Sequence, residues 1–600
     1  MVNKTECNLF DGMINLSTFQ TSYSDRLPYR LFFLFIFLYF ILFGNYIFFY
    51  QEKSSLFVFS TGYLLENLRQ PGSLLLYFSR FLSSFFYYPA IGSLIVAATI
   101  WLAVILMRKI LALMKSRFEN TLPVIAGLAL FYLQADYQYM FYNNVGLLAQ
   151  LFLFFLAVRS CKKYWPIWLL PLWYFITGGF ALLFCGIYFL WLITNGFKKG
   201  LFRLIALIIV IGIILFISGE FIFFNSYYTL MTYPWTEANS GSGGTLFMIL
   251  AGVLCFLPVT AGIRFKPANK PFIQSKILYI TGIALLLLSL GTISFFKYDK
   301  KTNHYFAVEK LFYENKYDEI INYNLKNPSG NILTAYLNNI ALCETGRLND
   351  KLFFFPQSPD GGSLFLKWEI VGEILRLGGY FYYTTGMINE AQRWAYEYMV
   401  MKGHTPEGLK MLAKTSLING DYIIAEKYIS ILKRTIFYRG DAGKLEKFLY
   451  NANAIESDPV LGPRLRNRIS EDFFSITDNP LVNIDRIIES DTLNKNAFEY
   501  KMAYLLLTKD LKGISENWNR LGRYDYSEIP VHIAEAGAAI RIINNGFLPS
   551  TRFQSSYAAA ENRLMQFLQT FQAYGTDPKK AEPALRKNFG NTYWYYVFYR

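Results

Sequence analysis

This 600-residue sequence predicts an all-α fold in two parts: a polytopic membrane helix bundle of about nine spans, followed by a soluble α-solenoid of helix pairs. Three observations predict it. Apolar runs near the length of a bilayer crossing recur through residues 31–296. Basic residues gather in alternate loops between those runs. A glycine-centred motif returns at a 34-residue offset in the polar half.

A helix crosses a bilayer core in roughly 20 apolar residues. Five runs meet that length: 31–50, 88–107, 201–219, 244–263 and 277–296. Four shorter runs, 121–134, 144–158, 164–176 and 179–194, suit re-entrant or flank-anchored helices and complete the nine. Loop charge tests this count, because cytoplasmic loops are enriched in Lys and Arg. With the N-terminus inside, the inner segments hold 17 basic residues, from Lys4 to Lys276. The outer loops hold three: Lys53, Arg69 and Arg80.

Residues 1–296 carry 9 acidic and 20 basic side chains, so they supply +11 of the formal +15. A pI near 9.2 ordinarily suggests a nucleic-acid partner. Here the excess lies between hydrophobic runs, so topology accounts for it and no nucleic acid is expected. Polar residues precede the first run, and no small-residue cleavage site follows it. The predicted domains are therefore a cytoplasmic segment 1–30, a transmembrane domain 31–296 and an outer helical repeat domain 297–600. In a bacterium these occupy the cytoplasm, the inner membrane and the periplasm.

The run QPGSLLLYFSRFLSSFFYYP (70–89) is apolar but carries Arg80. As a helix over about 71–88 it places Ser73, Tyr77, Arg80, Ser84 and Tyr87 on one stripe, with leucines and phenylalanines around the rest. As a span it would put Arg80 near mid-bilayer, at a cost of at least ~2.5 kcal/mol. It would also invert every later loop. The expectation is an interfacial helix on the outer side.

In the polar half, TTGMINEAQ (384–392) and INGDYIIAE (418–426) align with Gly386 and Gly420 at the tight turn and Ala391 and Ala425 at a close helix contact. The 34-residue period is that of tetratricopeptide repeats. ETGRLNDKL (344–352) and LTKDLKGIS (507–515) are weaker copies. Breaks are expected at 327–331, 355–363, 457–463 and 548–553. The aromatic tail GNTYWYYVFYR (590–600) suits a membrane interface, with a buried helix end as the alternative.

Five acidic residues fall on the outer side: Glu52, Glu66, Asp136, Glu220 and Glu237. Glu52 and Asp136 open successive outer loops and are the candidates for a catalytic base or for holding a divalent metal. Arg69 and Arg80 are the candidates for binding a phosphate, which a guanidinium matches in fork geometry. An ordinary solvated loop acid and a snorkelling Arg80 are the plainer alternatives. The five cysteines and three histidines have no zinc spacing. NSGSGGT (239–245) lacks the phosphate-loop pattern, so no nucleotide cofactor is expected.

The first part resembles the multispan C-type glycosyltransferases in layout: a first span, then a large outer loop with interfacial helices and an early acidic residue, here Glu52 and the helix at 71–88. Asp136 matches the second outer loop. PGSLLLYFSRFLSSFFYYP together with NTYWYY resembles an uncharacterised family of Bacteroidetes membrane proteins. The resemblance implies a polyprenyl-phosphate-linked sugar donor and a periplasmic protein or glycan acceptor, with Arg69 and Arg80 at the donor phosphate. The alternative is a non-catalytic inner-membrane anchor whose repeat domain scaffolds envelope proteins. A transporter is the weakest reading, because no intramembrane charge pair stands out.

Overall fold

The computed structural model describes residues 23–160, 164–194, 197–235, 242–262, 276–369, 372–469, 479–524, 526–544 and 554–600. Lys4, Cys7, Cys161, Lys162, Lys163, Glu237, Arg264, Lys266, Lys270 and the break at 548–553 lie outside the described residues. The chain divides into two compact units, Met1–Asp299 and Lys300–Arg600. Among the described residues every regular element is a helix and none is a strand.

Among the described residues of the first unit four helices are long and apolar enough to cross a membrane: Pro89–Leu113, Tyr142–Arg159, Gly200–Ile222 and Tyr279–Lys297. Leu27–Leu42 and Asn45–Lys53 meet at 71° and make a fifth if the pair is one span. Thr121–Gln134, Phe180–Thr194 and Gly244–Cys255 are apolar but shorter. The apolar runs of the sequence thus exceed the helices of spanning length. A hydropathy run counts apolar residues, whereas a single-helix crossing needs unbroken helix at 1.5 Å per residue.

Pro89–Leu113 is central. Its Val96, Ile100, Val104 and Met107 are fully buried at helical spacing. Around it pack Tyr23–Leu42, Thr121–Gln134 and Tyr142–Arg159. The peripheral helices differ. Only 28% of the apolar window of Gly200–Ile222 and 11% of that of Tyr279–Lys297 is buried, which leaves side chains such as Phe202, Ile208, Phe295 and Phe296 exposed. In water such surface costs about 25 cal/mol per Å². Hydrocarbon surroundings remove that cost.

The helix Ser73–Ser84, continued by a 3-10 turn Phe85–Tyr87, is too short to span. Its polar stripe is partly covered, with Tyr87 left exposed. Ser73 is buried. Tyr77 packs edge-on against Phe57 at 4.8 Å, and Arg80 donates to Tyr63 and Asn67. The neighbouring helix Thr61–Asn67 therefore covers part of the stripe, and Phe78 is exposed instead.

In the second unit the 34-residue offset becomes two successive helical hairpins. Gly386, at φ +94°, joins Gly372–Thr385 to Ile388–Lys402, and Gly420, at φ +81°, joins Pro406–Asn419 to Tyr422–Lys433. Both glycines adopt the left-handed conformation that other residues pay for. A buried ion pair ties Lys300–Tyr313 to Gly372–Thr385: Arg376 Nη1 lies 2.8 Å from Glu309 Oε1, and Tyr313 donates to the same carboxylate at 2.6 Å. The aromatic tail is a buried helix end of this unit. Tyr593 N–H donates to Glu535, Trp594 Nε1–H to the Glu535 carbonyl and Tyr596 O–H to the Leu507 carbonyl.

Candidate functional site

The sequence-derived residues Glu52 and Asp136 are carried by two segments that dock on each other. The 71° bend after Leu42 turns Asn45–Lys53 away from the preceding helix, and Gln51 and Glu52 become buried. Gln51 then acts as a two-sided clamp on the loop before Tyr142–Arg159. Its Nε2 donates to the Tyr139 carbonyl at 2.8 Å, and its Oε1 accepts from Phe141 N–H at 3.3 Å. Tyr50 meets Tyr137 edge-to-face at 5.0 Å.

The two carboxylates differ. Asp136 accepts from the backbone N–H of Gln138 at 3.1 Å, a local turn, and from Lys297 Nζ at 3.1 Å. Lys297 ends the last apolar helix and also lies 4.3 Å from the Tyr132 ring centre. Asp136 thus holds an ion pair between two elements 161 residues apart in sequence. Glu52 is 6% exposed, with Lys53 Nζ 3.8 Å away. No group of three or more His, Cys, Asp or Glu side chains able to hold a metal occurs among the described residues. Among the described residues, Glu52 and Asp136 therefore lack the further ligands that a divalent-metal set needs.

The two arginines belong to the adjoining loop. Arg69 is exposed. Arg80 is half-buried, and its Nη1 donates to Tyr63 Oη at 3.4 Å and Asn67 Oδ1 at 3.2 Å, both neutral groups. Glu66 is exposed, and Glu220 accepts from Tyr227 O–H at 3.1 Å.

Below the Gln51 clamp lies a cluster that the sequence reading missed. Gln134, Asn143, Asn144 and Gln150 are buried, the first, second and fourth completely. Asn144 Nδ2 donates to Gln134 Oε1 at 2.7 Å, Tyr139 O–H to Asn144 Oδ1 at 3.0 Å, and Trp173 Nε1–H to Gln150 Oε1 at 2.8 Å. Four buried amide atoms have no hydrogen-bond partner: Asn143 Nδ2 and Oδ1, Gln134 Nε2 and Gln150 Nε2. Asn143 and Gln150 lie seven residues apart, on one face of Tyr142–Arg159. A sequence signal existed, since NNVGLLAQ opens an otherwise apolar helix, but amides titrate nothing and drew no notice beside the carboxylates.

Three further segments close on this end of the unit. Gly72 N–H donates to the Phe175 carbonyl at 3.0 Å, and Gly179 N–H to the Tyr233 carbonyl at 2.8 Å. Gly72, at φ +86°, approaches Gly178 so closely that a Cβ would sit 2.9 Å from its Cα. Tyr142 O–H donates to the Pro234 carbonyl at 3.0 Å, and Tyr174 O–H to the Leu230 carbonyl at 2.9 Å. Phe180, Trp235, Phe247 and Tyr139 form an aromatic wall, with ring centres 5.6–6.3 Å apart between neighbours. The result is a set of buried amides beside aromatic rings, on the segment that Gln51 clamps through Tyr139 and Phe141. Such a set can hold hydroxyl or amide groups of a polar ligand.

The model of a protein family described as "Family of unknown function (DUF6057)" matches residues 21–600, and the chain belongs to that family. No curated protein and no solved structure matches it.

Proposed function

We propose that this member of the DUF6057 family is a membrane glycosyltransferase-like protein that moves a sugar or glycan from a polyprenyl-phosphate-linked donor to a protein or glycan acceptor. In this reading the chain sits in a bacterial inner membrane with about nine crossings, its N-terminus in the cytoplasm and its tetratricopeptide-like repeats in the periplasm. The observation that carries the reading is the set of four unpartnered buried amide atoms beside the segment bearing Glu52. Each such group costs about 1–3 kcal/mol when left unmade, and polar groups inside a membrane bundle mark sites where a ligand passes or binds. Sugar hydroxyls both donate and accept, so they satisfy amides of either polarity.

Roles follow from the surroundings. Glu52, buried on the segment that Gln51 docks against the Tyr139–Phe141 loop, is assigned as the general base for the acceptor hydroxyl. Asp136 is a positioning residue, because Lys297 occupies its carboxylate. Arg80, held by Tyr63 and Asn67, and Arg69 take the donor phosphate. The exposed apolar faces of Gly200–Ile222 and Tyr279–Lys297 suit a polyprenyl chain as well as lipid.

The test compares envelope glycans and glycoproteins of a deletion strain complemented with the wild-type protein, Glu52→Gln or Asp136→Asn. General-base loss predicts a fall of about 10²-fold or more for Glu52→Gln, and a smaller fall for Asp136→Asn. Unchanged glycosylation in the deletion strain removes the reading. The second reading, a scaffold anchored by the membrane unit, draws on the successive helical hairpins around Gly386 and Gly420, since stacked pairs build extended binding surfaces. It fails if crosslinked partners are still recovered after residues 297–600 are removed.

A further inference from the structure

The Lys300–Arg600 unit contains a groove of about 520 Å³, within the roughly 300–1,000 Å³ typical of small-ligand sites. Its floor is Trp394, whose indole N–H donates to Glu390 Oε1 at 3.0 Å. Both residues are buried, and neither belongs to the membrane-unit cluster. Arg393 reaches the same carboxylate at 3.2 Å and lays its guanidinium 4.4 Å from the Trp368 ring centre. Trp368 stands edge-on to Trp394 at 4.6 Å. These contacts hold the two indoles and the ion pair as one rigid wall.

The facing rim is equally fixed. Gly361, at φ +78°, lets the turn close onto Tyr504, where a Cβ would come within 2.6 Å of the ring. The turn aims Asp360 along the rim. Its carboxylate accepts from the Ser358 hydroxyl and from Gly362 N–H, which hold it below the ordinary carboxylate range and therefore charged. Lys367 is exposed on the same rim. Two acidic and two basic residues line the groove, so their formal charges cancel. Such a lining favours a neutral ligand over a nucleotide or a phosphate. Ring faces beside fixed carboxylate, guanidinium and amide groups match a pyranose, which has C–H faces to lay on an aromatic ring and hydroxyls around its edge.

Asn479, whose Oδ1 accepts from Leu481 N–H at 3.1 Å, also lines the groove. We propose that this groove is a saccharide-binding site for a neutral oligosaccharide, with Trp368 as the stacking platform and Asp360 and the Asn479 amide N–H as hydroxyl partners. As a binding site it stands on the groove alone. As the acceptor site of a transferase it rests on the reading above.

The experiment is isothermal titration of the full-length protein in detergent with cellohexaose, maltohexaose, chitohexaose and mannohexaose, beside a library of unmodified peptides. At least one sugar binds. Trp368→Ala weakens that binding tenfold or more, Asp360→Asn weakens it severalfold at unchanged thermal midpoint, and Glu52→Gln leaves it unchanged. Because Asp360 is exposed, its variant tests the site even if Trp368→Ala fails to fold. Binding of no sugar, or sugar binding indifferent to both groove variants, overturns the proposal, as does peptide binding that Asp360→Asn abolishes. Groove-dependent sugar binding without any transfer activity sustains this site and removes the transferase reading instead.

Discussion

Asn143→Leu is the sharpest perturbation of the membrane unit. Asn143 is completely buried, and both of its amide atoms lack a hydrogen-bond partner. Leucine has nearly the same shape and no polar atom. Each unmade buried group costs about 1–3 kcal/mol, so removing two recovers about 2 kcal/mol even at the low end. That is roughly a thirtyfold change in the folding equilibrium. The assay is thermal unfolding of detergent-purified protein, followed by tryptophan fluorescence and by size-exclusion after heating. The expected result is a midpoint several degrees higher than wild type, together with loss of glycan transfer in the complemented deletion strain. A residue retained at a cost to stability is one that a ligand uses. A lower midpoint refutes the argument, because it means that the amide is already bonded in the resting protein and serves the fold.

Three other outcomes follow from named contacts. Buried Glu499 has its carboxyl pushed up to about 8, chiefly by burial and then by Asp350, against the ordinary 4.5. The folded chain therefore keeps a proton that the unfolded chain loses, and stability falls as pH rises from about 4.5 to about 8, by on the order of 5 kcal/mol in all at about 1.36 kcal/mol per unit. Glu499→Gln flattens that slope in denaturant titrations from pH 5 to 8.5, and an unchanged slope refutes it. Asp136→Asn and Lys297→Ala, measured singly and together, give a coupling energy of about 0.5–1.5 kcal/mol in unfolding, whereas zero coupling means that the ion pair contributes nothing. Gly72→Ala combines a left-handed backbone with a 2.9 Å contact and lowers stability by about 2 kcal/mol or more; a neutral substitution there means that the loops are not tightly closed.

Much of the secondary structure was legible. Apolar periodicity marked the helices, and glycines placed the turns at Gly386 and Gly420 because only a residue without Cβ adopts that backbone at no cost. The run at 70–89 was legible as too short and too polar to span. Which segment covers part of its stripe was not legible, because helical spacing shows which residues share a face, not what packs on it. The covering helix, Thr61–Asn67, is a short, weakly apolar segment. The aromatic tail was legible only as two alternatives: Tyr and Trp suit an interface or a core with a polar contact, and Glu535 and Leu507 supply the contact. Within the candidate site, carboxylates and guanidiniums were found because they carry charge. The amides of Gln134, Asn143, Asn144 and Gln150 were not, since an asparagine in a helix is ordinary until it is known to be buried.

By itself, the sequence determined the helical class, the positions of most breaks and the apolar surface that calls for lipid. These depend on neighbours within a few residues and on composition. Only the tertiary structure decided that the helix ending at Leu42 meets the next at a 71° bend, that Asp136 belongs to Lys297, and that amide atoms of Gln134, Asn143 and Gln150 lie buried and unmet. Those outcomes depend on which distant segments share one volume, and a linear pattern carries no term for that.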